Sequence, residues 1–136
     1  MIRIQLMVPA LIAGTYSVVP NPVARADDSV TYEVVSDVVP MATVEYFDHS
    51  ERKVLTDVPL PWRTNATVLD ARSASTDGAE VRADWRPAAC DARYWCPEAR
   101  PNRWVTVRIY FQGTVLCQNT LDVGNSACYG STTFKN

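Results

Sequence analysis

The chain reads as all-β: a small antiparallel β-sandwich of immunoglobulin-like architecture, stabilised by disulfides and preceded by a signal peptide. Three observations carry this reading. Beyond residue 27, apolar and polar residues alternate through most of the chain, the period of strands with one buried face. Turn-forming residues break those runs at short intervals, which suits a sandwich. All four cysteines (Cys90, Cys96, Cys117, Cys128) follow an apolar N-terminal segment, and an even count in an exported chain favours disulfides.

The N-terminal segment fits export. Arg3 is the only charge before Arg25, the run from Leu6 to Val19 is mostly apolar, and Ala24-Arg25-Ala26 is a small-x-small cleavage site. This predicts a signal peptide over 1–26 and one β-sandwich domain over 27–136. The competing reading is a retained anchor, but the apolar run is short of the roughly 20 residues that span a bilayer. Pro9 and Pro20 also interrupt or close it. The chain carries a net charge of −2, and removal of Arg3 and Arg25 makes it more acidic. That balance argues against a nucleic-acid binder, which carries a basic face.

The elements follow in order. Residues 30–36 form a first strand with Val30, Tyr32 and Val34 on one face. Residues 42–48 form a second, with Ala42, Val44 and Tyr46 on one side, and a polar turn at His49-Ser50-Glu51-Arg52 leads to a weaker third strand over 53–58. Pro59-Leu60-Pro61-Trp62 fixes extended geometry and withholds ladder donors, so it marks an edge or a crossing between sheets. A mixed pattern over 63–70 suits an edge strand. After turn material ending in Asp77-Gly78, residues 79–85 form a fifth strand with Ala79, Val81 and Ala83 inward. Val105, Val107, Ile109 and Phe111 then alternate with Thr106, Arg108 and Tyr110, and Gln112-Gly113 makes a two-residue turn into a strand over 114–120. A closing strand is expected over 127–134. Trp62 and Trp104 are expected in the core.

The segment 86–103 lacks any period. It holds Pro87, Pro97 and Pro101, Arg86, Arg93, Arg100 and Arg103, and Tyr94-Trp95 between Cys90 and Cys96. It is too long for an ordinary hairpin loop. Three disulfide pairings are possible, and Cys90–Cys96 with Cys117–Cys128 is preferred because both close short loops. Zinc is disfavoured, because neither spacing is C-x-x-C and the chain has one histidine. Aromatic and arginine side chains are enriched at binding hot spots, so Arg93, Tyr94, Trp95 and Arg100 are the candidate contact residues.

Catalytic readings are weaker. His49 lies between Asp48 and Ser50 in a polar turn, and sequence neighbours on an extended chain point apart rather than forming a triad. Glu33, Glu45, Asp84 and Asp91 read as solvated positions, with no phosphate loop or dinucleotide fingerprint nearby. Asn65-Ala66-Thr67 is a glycosylation triplet that matters only in a eukaryotic secretory host. Composition and spacing reach no chemistry beyond binding, and imply no cofactor.

Several segments, in order, resemble one family. Val30-Thr31-Tyr32-Glu33-Val34, Ala42-Thr43-Val44-Glu45-Tyr46-Phe47-Asp48, Val58-Pro59-Leu60-Pro61-Trp62 and Val107-Arg108-Ile109-Tyr110-Phe111-Gln112-Gly113-Thr114-Val115 are similar to the extracytoplasmic domain of the mycobacterial small membrane protein (MmpS) family, as is the placement of Cys128. The resemblance implies an envelope-exposed β-sandwich without catalytic residues. It implies an accessory role in lipid or siderophore export, with an envelope protein or exporter component as partner. The chain departs from that family in its cleavable N-terminal segment, its inserted 86–103 segment and the position of Cys117. A secreted relative, or a secreted inhibitor or host-interacting module, is the alternative.

Overall fold

The computed structural model describes residues 14, 15, 17, 25–87 and 101–136. The 88–100 part of the loop lies outside these residues, as does most of the expected signal peptide. Eight strands follow in chain order: β1 (Asp28–Val35), β2 (Met41–Asp48), β3 (Glu51–Pro59), β4 (Trp62–Val68), β5 (Glu80–Asp84), β6 (Val105–Phe111), β7 (Thr114–Leu121) and β8 (Asn125–Tyr129). They form two antiparallel four-stranded sheets, one ordered β4-β1-β6-β7 and the other β3-β2-β5-β8. We call these the first and the second sheet. The expected all-β sandwich is present, and the strand phases explain why.

Val30, Tyr32 and Val34 of β1 are fully buried, facing Val105, Val107 and Ile109 of β6 along the same inner layer. The second sheet answers with Ala42, Val44, Val81, Ala83 and Cys128. Tyr46, Trp62, Leu60, Trp85 and Phe111 pack against this core at its margins. The rings of Tyr32, Tyr46 and Trp62 form a tilted series, with centroids 5.5 and 5.3 Å apart. Tilted contacts of this kind suit the aromatic quadrupole.

Two hairpins turn tightly. Phe111 pairs with Thr114 around Gln112 (φ 53°) and Gly113 (φ 75°). Asp48 pairs with Glu51 around His49 (φ 51°) and Ser50 (φ 60°). Positive φ at both central residues matches the twist of the flanking strands. Each hairpin also carries a bulge. In β7 it falls at Leu116, since Ile109 pairs with Cys117 and Tyr110 with Val115. Leu116 and Cys117 are consequently both buried although adjacent. In β3 the register shifts opposite Ala42 and Val44, where Asp57 has φ 52°.

The Pro59-Leu60-Pro61-Trp62 segment carries the chain from the second sheet to the first, through a cis Leu60–Pro61 bond. The amide of Leu60 donates to the Pro40 carbonyl at 2.9 Å. On this flank His49 N donates to Thr67 O (2.7 Å), and Thr67 N donates to Asp48 Oδ1 (3.0 Å), so the β2–β3 turn is sewn to β4. The opposite flank is closed by the Cys117–Cys128 disulfide, which joins β7 to β8. Asn119 Nδ2 donates to Ala127 O beside it (3.1 Å). The preferred Cys117–Cys128 pairing is therefore present, while Cys90 and Cys96 lie outside the described residues.

Two expectations need correction, and one burial was not foreseen. The closing strand ends at Tyr129 instead of continuing to Phe134. The amide of Gly130 donates to Ala79 O, and the chain then bends to the other sheet, where Phe134 O accepts from Gln118 N and Asn136 N donates to Gln118 O. Residues 134–136 thus lie along the free edge of β7. Trp104 is 49% exposed instead of buried, because it precedes β6 and only its carbonyl is held, by Ser36 Oγ at 2.7 Å. Phe47 is buried out of phase with Ala42 and Val44, on the outer side of β2 beneath the Arg52 guanidinium, 4.7 Å from its ring centroid.

Polar rows stiffen the outer face of the first sheet. Arg63, Glu33, Arg108 and Gln118 stand side by side across β4, β1, β6 and β7. Glu33 accepts from Arg63 (3.1 Å), Arg108 (2.8 Å) and Tyr110 (3.0 Å), and Arg108 also donates to Gln118 (2.6 Å). Burial opposes the charged form of Glu33, but the Arg108 and Tyr110 hydrogen bonds and the two arginine charges outweigh it. Its carboxyl is held below the ordinary glutamate value of 4.5.

Two measurements test this account. Tyr32 donates its buried hydroxyl to Phe47 O at 2.8 Å, so Tyr32→Phe leaves that carbonyl without its partner. The expected loss is about 1–3 kcal/mol, read as a lower urea midpoint at unchanged slope. The Glu33 contribution is complete above its unfolded value of 4.5 and is lost as pH falls through its depressed folded value. Urea midpoints of Glu33→Gln should therefore fall less steeply with acidification than those of the parent chain; equal slopes would refute this assignment.

Candidate functional site

The candidate surface lies at one end of the sandwich and on the adjoining outer face of the second sheet. At that end run the β1–β2 turn, the β3–β4 crossing, the two stems of the 86–103 segment and the β7–β8 turn. Both stems of the 86–103 segment are fixed there. Trp85 N donates to Gly124 O (2.9 Å), Arg86 N donates to Asp84 Oδ1 (3.0 Å), and Asn102 N donates to Asp122 Oδ2 (3.3 Å). Ser36 Oγ accepts from the amides of Val38 (3.2 Å) and Val39 (2.9 Å) while donating to Trp104 O. A side-chain turn at Ser36 thereby anchors the second stem. Val38, Met41, Trp104 and Val123, all on segments at this end, are large exposed hydrophobic side chains.

The predicted contact residues Arg93, Tyr94, Trp95 and Arg100 lie outside the described residues, so only the base of their loop is described. Arg86, grouped with them in sequence, is described: it is drawn back along β5 into a bidentate pair with Asp84, Nε lying 3.1 and 3.2 Å from the two carboxylate oxygens. That pair holds the guanidinium even more firmly protonated than usual, chiefly through the hydrogen bond itself.

A groove of about 560 Å³ opens beside that stem, on the outer face of β2, β5 and β8. Thr43 and Glu45 of β2, Arg82 and Asp84 of β5, and Asn125 and Tyr129 of β8 line it, with Arg86 and Pro87 at the loop end. The register makes this inevitable, since Glu45 pairs with Arg82, Thr43 with Asp84, Asp84 with Asn125 and Glu80 with Tyr129. Ion pairs fix the side chains. Arg52 bridges Glu45 (3.1 Å) and Glu80 (3.5 Å), and Arg82 pairs with Glu80. The Arg82 guanidinium also lies 5.7 Å from the Tyr129 ring centroid. The Tyr129 side chain remains exposed.

His49 sits at the far end of the sandwich. A smaller cavity of about 210 Å³ is lined there by Asp27, His49, Ser50, Thr67, Val68 and Leu69. Ser50 Oγ donates to Asp77 Oδ1 (3.1 Å), and His49 Nε2 is 3.7 Å from an Asp48 oxygen that already accepts from Thr67 N. Asp48 and the His49 amide thus hold Thr67 of β4, and Ser50 holds Asp77, so the three neighbours serve packing of one turn. Among the described residues no group of three His, Cys, Asp or Glu side chains is placed to hold a metal ion.

Sequence reasoning missed the groove. Its residues are the polar alternates of three strands and individually read as solvated. The available signal was the concentration of opposite charges at alternate positions of 80–84, but the β5–β8 pairing that gathers them joins residues 41 to 49 positions apart.

These features define a small disulfide-tied β-sandwich with a stem-anchored loop and a polar face. No protein-family model matches the chain, and no curated protein matches it either.

Gly124 controls the loop stem. It has φ +101°, and a Cβ there would lie 2.5 Å from Arg86 Cγ. Gly124→Ala should lower stability by about 1–3 kcal/mol and shift the Trp85 and Arg86 amide resonances. Unchanged resonances would show that the stem is not set by this contact.

Proposed function

We propose that this chain is an exported, non-catalytic binding domain with an accessory role at the cell envelope. Its contact surface is the 86–103 loop, with Tyr94 and Trp95 as aromatic anchors and Arg93 and Arg100 beside them. The observation that carries the reading is the fixation of both loop stems, at Trp85–Arg86 and at Asn102–Trp104. Anchored stems lower the ordering cost when a displayed loop meets a partner. The Cys117–Cys128 disulfide is compatible with an oxidising, extracytoplasmic location.

The partner class follows from the resemblance to the MmpS family: an envelope protein or exporter component, with a lipid or siderophore as cargo. The segments that carry the resemblance fall on β1, β2, the β3–β4 crossing and the β6–β7 hairpin, which are structural parts of the sandwich. They support kinship of scaffold more directly than identity of partner. The same stem-anchored loop suits a secreted inhibitor or host-interacting module, and a screen of the oxidised chain against proteases separates that reading from the first.

Tyr94→Ala with Trp95→Ala tests the contact surface. Capture of envelope components from extracts should fall severalfold while the dispersed amide spectrum of the sandwich is retained. Undiminished capture by the folded variant removes the loop from the function.

A further inference from the structure

We propose that the groove across β2, β5 and β8 binds a neutral glycan. The first ground is size: about 560 Å³ falls inside the range of about 300–1,000 Å³ occupied by small-ligand sites. The second is charge. Arg52, Arg82 and Arg86 are matched by Glu45, Glu80 and Asp84, each guanidinium bonded to a carboxylate. An anionic ligand would meet a carboxylate beside every guanidinium, and a cationic ligand would meet a guanidinium beside every carboxylate. A neutral ligand meets no such cost.

The third ground is the kind of recognition left over. Bidentate and bridging pairs hold the carboxylates and guanidiniums still, yet a carboxylate has about four lone-pair sites and an arginine five N–H donors, so each keeps hydrogen-bonding capacity after pairing. The amide of Asn125 and the hydroxyls of Thr43 and Tyr129 add neutral donors and acceptors along the same wall. Prearranged, mixed donors and acceptors complement a polyhydroxylated chain, whose every hydroxyl both donates and accepts. The exposed Tyr129 ring, steadied by Arg82, offers an apolar surface for the C–H face of a sugar ring. The groove lies open on the outer face of a sheet rather than in an enclosed cavity, which admits an extended chain. β2, β5 and β8 supply most of its lining, and Arg86 and Pro87 of the loop stem supply the rest.

The test is an amide-resonance titration of the oxidised chain with cellohexaose, maltohexaose and mannohexaose, and with a heparin hexasaccharide as the anionic comparison. Saturable shifts at Thr43, Arg82, Asn125 and Tyr129 with a neutral hexasaccharide are expected. Affinity should change little with added salt, because no counter-charge is engaged. Asp84→Asn and Tyr129→Ala should each weaken binding about tenfold or more, a change of about 1.4 kcal/mol, with spectra that remain dispersed. Asn125→Ala is the fallback if either fails to fold. His49→Ala, at the far end of the sandwich, should leave glycan binding intact, which ties the effect to this groove. Three results would overturn the proposal: no shift with any neutral hexasaccharide up to about 10 mM, beyond the millimolar range of weak sites; preference for the heparin fragment; or shifts confined to other faces.

Discussion

Tyr32 places a hydroxyl between two apolar sheets, where an unpaired polar group would cost about 1–3 kcal/mol. It avoids that cost by donating to the Phe47 carbonyl of β2 and accepting from the Glu80 amide of β5 at 3.4 Å. Burial pushes the phenol well above its ordinary value of 10.0, which favours keeping the proton that makes the first bond. One side chain of the first sheet thereby locates two adjacent strands of the second. Those strands carry Glu45, Glu80, Arg82 and Asp84. The polar face outside the sandwich is thus registered by a hydrogen bond within it.

The two flanks complete the same constraint by different chemistry. Between β7 and β8 the closure is covalent and is backed by the Asn119 amide. Between the β2–β3 turn and β4 it is a pair of hydrogen bonds in which Asp48 stands in for a backbone acceptor. Neither flank slides easily, so the loop stems at the end of the sandwich inherit a fixed base. The charged row on the first sheet has a structural rather than recognitive character. Glu33 spends its oxygens on three partners of its own sheet, and the Arg63 guanidinium also covers the Tyr110 ring at 4.9 Å.

Local patterns in the sequence were sufficient for much of this. The phase of Val30, Tyr32 and Val34, the Gln112-Gly113 turn and the proline-fixed crossing before Trp62 are each written within a few residues. What failed was non-local. Trp104 reads as core by type, yet its position before β6 leaves the ring outside. Phe47 is buried only because β3 brings Arg52 opposite it. The closing strand ends earlier than its local pattern predicts, because the residues beyond Tyr129 cross to the other sheet. The groove required the pairing of β8 with β5, which no local period encodes. The loop carrying Tyr94 and Trp95 was singled out by its lack of period.

Residues 134–136 have a colloidal consequence. A bare strand edge is a template on which other chains polymerise. Here the tail takes up the amide and carbonyl of Gln118, and Asn136 Nδ2 caps Thr120 O at 3.0 Å. One edge of the other sheet is β3, where the kink at Asp57 and the missing donor of Pro59 spoil a continuous ladder. The tail thus removes one template for edge-to-edge growth, and a fusion that pulls it away would give up that protection.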